Sequence, residues 1–99
     1  MCQRIIKKMS EDRFLNHLAF MIHEFDRLFL IKTASPSLLE AFTDMNKNTF
    51  MQALDIYAHN VSTEPLNHQY VKIKEFLDTL PETRSSLLMH GWLKEYYRV

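Results

Sequence analysis

The residues of this 99-residue chain with chemistry to offer are five histidines, one cysteine and a short run of ionisable side chains. Asp55 and His59 stand four apart, which puts two metal-ligating groups on one face of a helix. Two ligands do not make a site. Zinc takes four, and His68 or His90 would have to be brought in by the fold. His17 and His23 are six apart, a rotation of about 240° on a helix, so they face different ways. The sequence has no His-Glu-x-x-His, no cysteine pair and no repeated Glu-x-x-His. Histidines on the surface or at caps are therefore expected, with no metal and no cofactor.

Nucleophilic chemistry has equally little support. Cys2 has no candidate base beside it in sequence, and as a lone cysteine it forms no internal disulfide. Serines 10, 35, 37, 62, 85 and 86 fall mostly at cap or turn positions, without a Gly-x-Ser-x-Gly elbow. In His23-Glu24-Phe25-Asp26-Arg27, the i,i+3 spacing of Glu24 and Arg27 reads as a surface ion pair. The expectation is a protein that is not an enzyme.

Two binding readings remain. The first concerns residues 14–31, whose main apolar stripe is Phe14, Leu18, Met21, Phe25 and Leu28. Phe20 falls outside it, among Asn16, His17, His23, Glu24 and Arg27, and Ile31 lies close to Phe20. A helix covered on one side needs no such residues on its polar side. Phe20 and Ile31 are therefore expected to meet another protein chain or a second copy, with His17, Glu24 and Arg27 as the polar rim. Tyr97, beside Arg98, is a secondary contact by residue type. The second reading is a helix-turn-helix over residues 37–54, with Asp44-Met45-Asn46 as its turn. Lys47, Asn48, Thr49 and Gln52 would then reach DNA base edges from the start of the second helix. Against it stand the missing turn glycine and the absence of a strong basic patch.

The elements that must position these residues all read as helices. Ser10 with Glu11 and Asp12 opens the first, expected to run to residues 32–34. Ser35-Pro36 opens a short second helix, and a third follows the 44–46 turn with Phe50, Leu54, Tyr57 and Val61 on one face. Ser62 and Pro65 precede a fourth, carrying Leu66, Tyr70, Ile73, Leu77 and Leu80. Thr79 and Glu82 read as a capping box for a fifth, with Leu88, Trp92, Tyr96 and Val99 along it. Gly91, the only glycine, falls inside that helix and is expected to mark close packing. The expected fold is all-α: a bundle of about five helices in a single domain over residues 1–99, with a basic segment at 1–9. Its long first helix would be central or at a dimer interface.

Composition agrees. The chain is 46% hydrophobic and 24% charged, with 12 basic and 12 acidic residues. Residues 1–50 carry seven basic and six acidic side chains and residues 51–99 five and six, so neither half is a polycation. No apolar run is long enough to span a bilayer and no secretory signal is evident, which points to the cytoplasm. The expected protein is a small adaptor, inhibitor or regulator, a homodimer by the first reading and a dimeric DNA-binding regulator by the second.

Overall fold

The computed structural model describes residues 10–31 and 35–99, and those residues form four α-helices with no strand among them. They are α1 (Glu11–Ile31), α2 (Pro36–Ile56), α3 (Leu66–Asp78) and α4 (Arg84–Tyr97). A π-helical turn, Tyr57–Val61, continues directly from α2. The N-terminal basic segment, Cys2 and the stretch 32–34 lie outside the described residues, as does the side chain of Ile31.

Two helix starts follow the sequence signals. The Ser10 hydroxyl accepts from the Arg13 amide at 3.2 Å, and Glu11 and Asp12 occupy the electropositive first turn. Ser35 caps α2 through the Leu38 amide, with Pro36 as its first residue. The other two starts differ. Pro65 is itself the cap position of α3, and Ser62 accepts instead from the Glu64 amide. The capping box of α4 is Thr83 with Ser86, each side chain bonded to the other's backbone amide. Thr79 serves the end of α3, where its hydroxyl donates to the Phe76 carbonyl at 2.6 Å.

The expected turn at Asp44-Met45-Asn46 does not form; α2 runs through it, so the expected second and third helices are one. Asp, Met and Asn tolerate a helix interior at small cost, and no glycine or proline lies between Ser37 and Glu64. The inward row Leu39, Phe42, Asn46, Phe50, Ala53 and Tyr57 keeps a spacing of three and four across the whole stretch. Asn46 occupies a core position in that row, and packing settles what local propensity leaves open.

The core is Phe14, Leu18, Met21, Ile22, Phe25 and Phe29 from α1, with Phe50, Leu54, Tyr57, Ile73, Leu77, Met89, Trp92 and Leu93, all 8% exposed or less. The helix at its centre is α4, which packs against each of the other three. That corrects the expectation of a central first helix. Trp92 tilts on Phe50 at 5.9 Å between ring centres, and Phe42 meets Phe25 and Phe29 edge-on at 6.4 and 5.2 Å. Gly91 is inside α4 as expected, but it is exposed and a Cβ there would meet nothing within 4 Å. It is not a point of close packing.

Candidate functional site

α1 and α2 run in opposite directions and meet through side chains near their two ends, as three sets of contacts establish. Phe14 stacks on Tyr57 at 4.6 Å, Arg13 and His17 share a cavity with Ala53 and Ile56, and Phe25 and Phe29 meet Phe42. α3 and α4 cover the inner side of this pair. The outer side keeps large apolar groups in solvent. Phe20 is 59% exposed, Met45 64%, Leu38 59% and Ile56 45%.

On α2 those groups form one row. Leu38, Met45, Thr49, Gln52 and Ile56 recur at seven, four, three and four residues, which returns them to the same helix face. On α1, Phe20 lies in a row with Arg13, Asn16, His17, Glu24 and Arg27. At one end of the two-helix face, Arg13, Phe14, Asn16, His17, Ala53 and Ile56 line an open cavity of about 380 Å³. Its floor is apolar and its α1 wall carries the guanidinium, imidazole and amide groups. At the other end Glu24 and Arg27 form the expected ion pair, 3.4 Å apart and largely solvated, so it fixes side-chain positions more than it adds stability.

The structure thus brings together Phe20, His17, Glu24 and Arg27 on one surface. Met45, Leu38 and Ile56 belong to the same face and are missed by sequence reasoning. Their signal is large apolar groups at steps of seven and eleven residues on the polar side of α2, obscured once a turn is placed at 44–46. Tyr97 does not belong to it. It is partly buried, its hydroxyl donates to Gln69 Oε1 at 3.0 Å, and its ring meets Tyr96 and Tyr70 edge-on. The four residues expected to read DNA lie in the middle of α2 instead of at a helix start. Lys47 pairs with Glu95 at 3.0 Å, and Thr49 donates back to the Met45 carbonyl. The premise of a helix-turn-helix fails with the turn.

No family model, curated protein or solved structure matches this chain.

Elsewhere several polar groups are tied into the fold, while Asn46 Nδ2 and Ser85 Oγ are buried without a hydrogen-bond partner. Tyr57 is fully buried and its hydroxyl donates to Glu11 at 2.7 Å; burial first, and then that carboxylate, raise its pKa well above the tyrosine range. Lys72 bridges Glu64 at 2.6 Å and Glu11 at 3.4 Å, which lowers the Glu64 pKa and raises its own. Tyr96 donates to Asp55 at 2.6 Å, and burial with that contact lifts it to about 12. His59 Nδ1 lies 2.8 Å from the Asp55 backbone carbonyl, so the i,i+4 pair does not converge its side chains on a metal. Among the described residues no three His, Cys, Asp or Glu side chains gather at one point. None of their helices is long and apolar enough to cross a membrane.

Proposed function

We propose that this protein acts by binding another protein chain through the outer α1–α2 face, as a stoichiometric adaptor, inhibitor or regulator with no catalysis of its own. The observation that carries this is Phe20, an aromatic ring 59% exposed at the middle of a face that also exposes Met45, Ile56 and Leu38. Scattered apolar residues are ordinary on protein surfaces; what supports this reading is that four large ones lie on the facing outer sides of α1 and α2 beside an open cavity. The polar rim is His17, Glu24 and Arg27, joined by Arg13 and Asn16 along the cavity. A preformed helical face needs no ordering of its own on binding, so its apolar area counts directly toward affinity.

The test is Phe20→Glu beside Val71→Glu, a second exposed apolar position on α3. Both variants are expected to keep the wild-type helical spectrum and urea midpoint. Only Phe20→Glu should abolish association, read as solution mass and as stoichiometric co-purification from the native host. Sedimentation and binding unchanged in Phe20→Glu would sink the proposal.

A further inference from the structure

We propose that the cavity between the π-helical turn, the start of α3 and the end of α4 binds a small aromatic carboxylate. It is lined by Ala58, His59, Leu66, Tyr96, Tyr97 and Arg98 and has a volume of about 510 Å³. That volume is within the range of small-molecule sites. None of its lining residues belongs to the cavity beside Phe20. Each part of such a ligand finds a partner here. Both tyrosine hydroxyls are committed elsewhere, to Asp55 at 2.6 Å and to Gln69 at 3.0 Å, so the tyrosines offer the cavity their rings. The two rings meet at 77° with centres 4.8 Å apart, and such rings accept a third by face or by edge. Leu66, 58% exposed, and Ala58 add apolar surface that the body of the ligand would cover. Arg98 supplies the charge. The ion pairs of the described residues take up Arg27, Lys47, Lys72 and Lys74, and Arg98 joins none of them. Its planar guanidinium takes a carboxylate through two parallel hydrogen bonds.

The surroundings favour a single negative charge. The carbonyl end of α4 and the Asp55 carboxylate adjoin the cavity through Arg98 and Tyr96, and both disfavour a dianion such as a phosphate monoester. Two backbone irregularities meet at the same place. The π-helical turn, closed by the Ser62 amide on the Tyr57 carbonyl, contributes Ala58 and His59, and such turns recur at functional sites. Arg98 ends α4 in the left-handed region at φ 58°, as no other non-glycine residue does among those described. Glycine holds that position at lower cost, so the chain gives up stability to keep a guanidinium beside the cavity.

Titration calorimetry of the full chain with 2-naphthoate tests the proposal. One site is expected, with a Kd at or below about 1 mM. The neutral isostere 2-naphthamide should bind at least about tenfold more weakly, because it forfeits the charge on Arg98. Cyclohexanecarboxylate, which keeps the charge but not the ring, should also bind more weakly. Arg98→Gly is expected to keep the helical spectrum, to keep or raise the urea midpoint, and to bind acid and amide equally. Arg13→Gln, altered in the cavity beside Phe20, should bind like the unmodified protein. Amide shifts on titration, read by NMR, should centre on Ala58, His59, Leu66 and residues 96–98. Absence of saturable 2-naphthoate binding, equal binding of acid and amide, or shifts centred on Arg13 and His17 overturns the proposal. So does an Arg98→Gly protein that still prefers the acid. Association through Phe20 is read from a different variant, so either idea can fail alone.

Discussion

The two sides of α1 hold similar side chains in opposite circumstances. On the inner side, Phe14, Leu18, Phe25 and Phe29 are buried under α3, α4 and the π-helical turn. On the outer side, Phe20 stands in water beside a cavity. The inner side is also where long-range polar contacts tie the helices together. Tyr57 donates to Glu11, Tyr97 to Gln69 and Tyr96 to Asp55, and the Ser85 amide donates to Asp26. No comparable contact crosses the outer face among the described residues; its one ion pair joins Glu24 to Arg27 within α1. One side of the helix pair is spent on folding, and the other leaves Phe20, Leu38, Met45 and Ile56 exposed.

The sharpest way to break this comparison is to make the same truncation on both sides. Phe50→Ala removes a fully buried ring that packs on Trp92 and is expected to cost about 3–5 kcal/mol in urea unfolding. Phe20→Ala is expected to change the stability of the isolated chain by less than about 0.5 kcal/mol. Similar losses at both positions would mean that Phe20 belongs to the core.

A smaller effect tests the polar contacts of the inner side. Tyr57→Phe keeps the ring on Phe14 but deletes the bond to Glu11, for an expected loss of about 1–2 kcal/mol. The same residue sets a pH dependence. The folded-state pKa values of Tyr57 and Tyr96 are raised, so their contribution is complete below the ordinary tyrosine value of about 10 and is lost as pH rises above it. Urea midpoints should therefore fall above about pH 10, and fall less steeply in Tyr57→Phe. A slope identical in the two proteins would remove Tyr57 from this account.

The smallest effect has the opposite sign. Gly91→Ala adds a methyl that meets nothing within 4 Å inside a helix, and is expected to stabilise by about 0.5–1 kcal/mol. A loss of stability on urea titration would restore the close packing that the sequence suggests.

These contrasts also show what the linear chain makes legible. Local physics at Ser10 and at Ser35-Pro36 is enough to place two helix starts, because cap and partner lie within four residues. The stripe from Phe14 to Phe29 and the anomaly of Phe20 are equally local, since helical spacing alone exposes them. The turn at 44–46 misleads because asparagine and aspartate suit a turn or a helix interior about equally, and the packing of Phe42, Phe50 and Ala53 on one continuous row decides, even though it buries the Asn46 amide nitrogen without a partner. Thr79 and Thr83 are both plausible caps, and the choice falls to Thr83, whose partner Ser86 is itself buried. The Tyr57–Glu11 bond joins residues 46 apart, and the meeting of Ile56 with Arg13 and His17 spans a similar distance. No spacing rule reaches that far, so the α2 half of the exposed face emerges only from the packed helices.

The claim that this face is the binding surface is tested most directly by photo-crosslinking in the native host. A photoreactive phenylalanine analogue would be placed singly at positions 20, 45 and 56, and at 71 and 87 as exposed controls on α3 and α4. Adducts of one defined mass at 20, 45 and 56, with none at 71 and 87, are the predicted result. Adducts at the control positions alone, or equally at all five, would contradict it.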